Sequence, residues 1–155
     1  MVVRTSWENI GAVVRDMTTC LYDLQDFTRL YKEESMPSNW DKFIKEGFRG
    51  MMVSLFELCK SYIIHANKYN KINGMKFVDI LEESVNRGIL LEDSVVVLET
   101  LRQLRNDNSH GYDVPDFTEI FNFYTDYKYV FEDILYRAKI LYDTDSKTKT
   151  NKLNL

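Results

Sequence analysis

Residues 7–31 read WENIGAVVRDMTTCLYDLQDFTRLY, and the spacing of their apolar side chains decides the fold class. Trp7, Ile10, Val13, Val14, Met17, Leu21, Leu24, Phe27 and Tyr31 recur at three- and four-residue intervals, the period of one amphipathic helix face and not the alternation of a strand. The pattern continues in residues 39–70, NWDKFIKEGFRGMMVSLFELCKSYIIHANKYN, where Trp40, Phe43, Ile44, Phe48, Met51, Met52, Leu55, Phe56, Cys59, Tyr62 and Ile63 form a second stripe. Ser38 or Asn39, after Pro37, suits the cap of this helix. Gly47 and Gly50 lie inside it, each weakening it by about 1 kcal/mol relative to alanine, and they imply either a close helix crossing or a bend.

Phe77 to Arg87 reads as a short helix closed by Gly88, and Asp93 or Ser94 can cap the next, which runs through VVVLETLRQLRNDN. Pro115 suits the first turn of a last helix, from Asp116 to about Tyr142. That helix carries aromatic residues on several faces, which implies cover from beyond its own bundle, most simply a homodimer interface. The sum is an all-α fold, an up-and-down bundle of four long helices plus a short connecting helix. Residues 1–142 form one domain, and 143–155, DTDSKTKTNKLNL, lack periodicity and read as a disordered tail.

With 155 residues, 45% hydrophobic and 28% charged, the chain is of ordinary globular composition for a single domain. No apolar run is long enough to cross a bilayer, and Glu8 and Arg15 interrupt what a signal peptide would keep apolar, so the expected location is the cytoplasm, with no membrane partner. Cys20 and Cys59 read as two buried reduced thiols. A net charge of −4 excludes a chain-wide attraction for nucleic acid, so RNA contact would need a local site.

Such a site is offered by residues 105–112, RNDNSHGY, in a chain with only two histidines. At about 100° per residue, Arg105 and His110 stand roughly 140° apart around a continuous helix. If the helix ends near Ser109, with Gly111 in the left-handed position, His110 leaves helical geometry and can turn back so that both side chains converge on one anion. The same residues also read as a stop signal, because the helix dipole favours basic side chains in a last turn and glycine ends it. His65, at the end of the second helix, reads as a helical histidine outside any site.

RNDNSHGY resembles the R-x4-H-x-Y motif of the HEPN superfamily, helical proteins of this size whose motif lies at a helix end. Asn106 fills the polar position usual after the arginine, and the segment FRGMMVSLFELCKSYI and the place of the motif before the last helix are similar too. The resemblance covers residues 5–142, its specific part only these eight residues. Within the superfamily the chain looks most similar to small stand-alone bacterial proteins paired with a minimal nucleotidyltransferase, the helical partner a ribonuclease toxin and the nucleotidyltransferase its antitoxin. That resemblance implies Arg105 and His110 as catalytic, Asn106 as supporting, Tyr112 as a position the antitoxin modifies with adenylate, and a setting of toxin control or phage defence.

The residue types suit the chemistry. Cleaving RNA without a metal needs a base for the 2′-hydroxyl, an acid for the leaving 5′-oxygen and positive charge for the phosphorane. His110, with an ordinary pKa near 6.5, can act as base or acid at neutral pH. Arg105 can present paired donors to phosphate oxygens. Asn106 can donate to phosphate or hold His110, whereas Asp107 would repel phosphate unless it points to solvent. No metal-ligand spacing stands out, so the endoribonuclease that the resemblance implies is expected to be metal-independent and cofactor-free and to release a 2′,3′-cyclic phosphate, with a second histidine available across a dimer axis. The alternative is a non-catalytic module that binds a nucleotidyltransferase or presents substrate to it; a third reading is a structural dimer with RNDNSH as an end cap.

Overall fold

The computed structural model describes residues 6–32, 41–68, 76–110 and 117–153, and the side chains of 10–31, 42–68, 76–106 and 117–144. Among the described residues five helices follow one another: α1 (Ser6–Lys32), α2 (Asp41–Asn67), α3 (Phe77–Asn86), α4 (Ser94–His110) and α5 (Phe117–Leu153). No strand occurs among the described residues. The fold is an all-α bundle in which α1, α2, α4 and α5 are long and α3 connects.

The run of contacts along each helix gives its direction. Tyr31 at the end of α1 meets Phe117 and Phe121 at the start of α5, with ring centroids 5.2 and 5.1 Å apart. Gly11 at the start of α1 meets Tyr142 far along α5. α1 and α5 are therefore antiparallel, and so are α1 and α2, since the Phe27 ring lies tilted against Phe48 with centroids 4.9 Å apart and Cys20 donates to the Met51 carbonyl at 3.4 Å. α4 runs against α2, with Arg105 beside Glu57 and Ile89, just before α4, accepting a hydrogen bond from Tyr62.

The α1 stripe read from the sequence is the one that packs: Ile10, Val13, Met17, Leu21, Leu24 and Phe27 are all buried. Fully burying one such side chain contributes roughly 1.5–3 kcal/mol, which is what fixes the helices against each other. Phe27, Tyr31, Phe48, Phe117, Phe121 and Tyr124 form a continuous aromatic cluster between α1, α2 and α5. The stripe of α2 is buried at Phe48, Met52, Leu55, Phe56, Cys59, Tyr62 and Ile63, but Phe43 is 78% exposed. Trp7 and Trp40, Pro37 with its candidate caps Ser38 and Asn39, and Pro115 lie outside the described residues or side chains.

Neither Gly47 nor Gly50 marks a close crossing, because a Cβ built on either would meet nothing within 4 Å. The tight helix contact is at Gly11, where a Cβ would lie 3.0 Å from Tyr142 Cε2. Gly88 does end α3, with φ of +75°. The Ile89 N–H reaches the Ser84 carbonyl at 2.8 Å and the Gly88 N–H the Val85 carbonyl at 3.0 Å, the paired bonds of a Schellman stop.

The end of α5 differs from the sequence reading. α5 continues to Leu153, through residues expected to be disordered past Tyr142. DTDSKTKTNKL has no proline or glycine to break the helix, and a polar segment can continue one that a packed stem has nucleated. At the start of α4, Asp93 does stand before the helix, its carbonyl accepting from the Val97 N–H at 3.3 Å, but its Oδ2 accepts a 2.7 Å hydrogen bond from Tyr129 on α5, tying the start of α4 across the bundle.

Most of the aromatic richness of α5 is used inside this chain, since Phe117, Phe121, Tyr124 and Phe131 are buried and Phe123, Tyr127 and Tyr142 pack half-buried against the core. Tyr129, Tyr136 and Ile140 remain exposed, and their spacing puts them within about 40° of one another around α5. Among the described residues, no helix is long and apolar enough to cross a membrane.

Candidate active site

The motif begins on a helix face that the core defines. Val97, Leu98 and Leu101 of α4 are buried, and one further turn along that stripe brings Arg105 to the edge facing α2. There Phe56 is buried and Glu57, its neighbour, half emerges to solvent, so α2 offers Arg105 a ring and a carboxylate together.

Arg105 uses both. Its Nη1 donates to Glu57 Oε1 at 2.7 Å, its Nη2 donates to Asn106 Oδ1 at 3.2 Å, and the guanidinium carbon lies 4.7 Å from the centre of the Phe56 ring. The Arg105 side chain is 28% exposed and that of Glu57 51%. At that exposure the ion pair contributes about 0–1 kcal/mol, and the cation–π contact about as much again. Their larger effect is directional, since guanidinium plane and position are set before any ligand arrives.

This geometry changes the roles drawn from the sequence. Arg105 is anchored to an anion of its own chain, so a phosphate would share it with Glu57. Asn106 orients Arg105 through its carboxamide oxygen, leaving the amide nitrogen as the group that could donate elsewhere. Glu57 and Phe56 escaped sequence reasoning. Both sit in FRGMMVSLFELCKSYI, but nothing local marks a carboxylate whose partner is 48 residues away.

His110 is the last residue of α4, so its backbone is helical and not released beyond Ser109. Its Cα therefore stands about 140° around the axis from that of Arg105. The helix thus ends one residue later than the sequence reading placed it. The side chains of Asp107 and His110 lie outside the described ones, and Gly111 and Tyr112 lie outside the described residues.

His65 falls in the last turn of α2, where the helix dipole favours it. Cys20 and Cys59 are buried and form no disulfide. Burial, followed by the Asp23 charge, pushes the Cys20 thiol up to about 11, and burial raises that of Cys59 further. Neither is a nucleophile at neutral pH. Among the described residues, no group of three or more His, Cys, Asp or Glu side chains converges as metal ligands would.

A polar cluster that the sequence reading did not find joins α2 to α3. The buried Asn67 donates to the Ile63 carbonyl and to Ser84 Oγ, both at 2.9 Å, and accepts from Arg87 Nη1 at 3.3 Å, while Arg87 Nη2 meets Glu83 at 2.6 Å. Its groups are mutually satisfied, which marks a structural clasp. Comparison of the chain with protein-family models, with curated proteins and with solved structures finds no match.

Proposed function

We propose that this chain is a metal-independent endoribonuclease of the HEPN kind, in which Arg105, Asn106 and His110 at the C-terminal end of α4 act on RNA. The observation that carries the reading is the prepared Arg105, its guanidinium held by Glu57, Phe56 and Asn106 at the end of the helix that carries His110. His110 takes the 2′-hydroxyl proton as O2′ bonds to phosphorus, the P–O5′ bond breaks with a proton passing to the 5′-oxygen from the histidine of a second copy, and Arg105 stabilises the phosphorane between them. The wide angle between the two positions favours a site completed by a second copy, with His110 of one protomer opposite Arg105 of the other. The exposed stripe of Tyr129, Tyr136 and Ile140 supports a partner for α5. A separately encoded minimal nucleotidyltransferase restrains the enzyme in the cytoplasm, with Tyr112 the residue it modifies.

Expression in a bacterial host tests this reading. Wild-type protein is expected to arrest growth, His110→Ala and Arg105→Ala to relieve the arrest at equal protein levels, and a co-expressed nucleotidyltransferase to restore growth. Equal arrest by all three forms of the protein would exclude the site.

One observation favours a second reading. Because Glu57 already occupies Arg105, the α4 end also suits a module that binds a nucleotidyltransferase without cleaving RNA. In that case His110→Ala would leave partner binding and growth unchanged.

A further inference from the structure

On the face of the bundle away from α4, α1 and α5 enclose a groove of about 500 Å³ to which α4 contributes no residue. Tyr22, Gln25, Asp26 and Arg29 line it from α1, and Tyr124 and Lys128 from α5. Its volume falls within the usual range for a small-molecule site, roughly 300–1,000 Å³.

The residue that singles it out is Tyr124. This side chain is 1% exposed, yet its hydroxyl has no hydrogen-bond partner among the described residues. A buried hydroxyl without a partner costs about 1–3 kcal/mol, and a phenylalanine of the same shape would not incur it. Burial, followed by the charge of Glu132, pushes the Tyr124 pKa up to about 12, so at neutral pH the group keeps its proton and is a donor awaiting an acceptor.

The rim supplies the rest of a recognition set. Tyr22 is 69% exposed, an aromatic face at the mouth of the groove with no core to pack against. Arg29 is bonded to Asp26 at 2.8 Å, and Lys128 lies 3.6 Å from Glu132. Each cation of the lining thus has a carboxylate beside it, so a phosphate would share Arg29 with Asp26 and Lys128 with Glu132. Tyr22 and Gln25 of the same lining are exposed.

We propose that the α1–α5 groove binds a nucleotide, its base stacked on Tyr22 and accepting a hydrogen bond from Tyr124, its phosphate held by Arg29 and Lys128. The inference does not rest on the reading of Arg105 and His110. The same unit could come from a free nucleoside monophosphate or from one residue of an RNA strand.

Titration calorimetry and amide chemical-shift mapping with AMP, UMP, adenosine, inorganic phosphate and an RNA hexamer test it. The expected result is saturable binding of AMP or UMP with shifts on α1 and α5, weakened about tenfold by Tyr124→Phe, the usual loss for one buried hydrogen bond. Lys128→Gln should weaken AMP but not adenosine. Binding of the hexamer alone, with the same Tyr124 dependence, would support the site with an RNA strand as the source. No binding by any probe to folded protein, binding indifferent to Tyr124→Phe, shifts confined to α4, or phosphate binding as tight as AMP would each overturn the proposal. Tyr124→Phe removes an unpaired group without changing shape, so its unliganded melting temperature should match or exceed wild type and show that it folds.

Discussion

In the proposed site Arg105 would meet a phosphate with part of its fork already committed, because Glu57 holds Nη1 and Asn106 holds Nη2. Glu57→Gln keeps an acceptor oxygen for Nη1 while removing the competing negative charge. RNA affinity, measured by filter binding in a His110→Ala background, is expected to rise severalfold, and the fold to change by no more than about 1 kcal/mol. A fall in affinity would mean that Glu57 positions Arg105 more than it competes with phosphate. At this scale Arg105, Asn106 and His110 stand out in the sequence as a candidate site because they are near neighbours and chemically unusual together. Glu57 and the unpaired hydroxyl of Tyr124 were not, since each acquires meaning only from residues brought near by the fold. The thiols are the opposite case: apolar surroundings marked Cys20 and Cys59 as buried, and the core contains both. Both should resist an aromatic disulfide reagent at pH 8 and react once the protein is unfolded.

Helix interiors make separate predictions. Gly47 and Gly50 sit within α2 and would accept a Cβ into open space. Each substitution to alanine is expected to raise stability by about 1 kcal/mol, read from urea unfolding, because helix propensity improves and nothing clashes. Gly11→Val should instead destabilise by about 1–3 kcal/mol, since Tyr142 leaves no room. The three glycines look alike in the sequence, and only the packing partner separates them. The helices themselves were legible from three- and four-residue periodicity, and the end of α3 from Gly88, whose left-handed φ few other residues adopt readily. The end of α5 was not, because loss of the apolar stripe signals loss of packing and need not end a helix.

Across the whole molecule, the buried acids make the bundle sensitive to alkali. Cys20 is pushed up to about 11, and Tyr62 and Tyr124 to about 12, in each case chiefly by burial. A raised pKa means that the folded state holds its proton more tightly than the unfolded chain, where cysteine titrates near 8.5 and tyrosine near 10. Their contribution is fully present below about pH 8.5 and is lost as pH rises toward 11 and 12. Unfolding free energy should therefore fall steadily above about pH 9, and Cys20→Ser should not be used to test this, because it also changes packing; Tyr124→Phe should reduce the slope. The proposed function belongs to the same scale: α1, α2 and α5 build the core, and α4 brings Arg105 to the edge beside α2, where the proposal has a second copy complete the site.

The decisive measurement is incubation of purified protein with total RNA and with tRNA in EDTA, followed by analysis of the fragment ends. Wild-type protein is expected to cleave and leave 2′,3′-cyclic phosphates, with His110→Ala and Arg105→Ala inactive but folded. Absence of cleavage by folded, dimeric wild-type protein over a range of RNAs, or cleavage undiminished in His110→Ala, would contradict the assignment of the α4 end as a metal-free ribonuclease site.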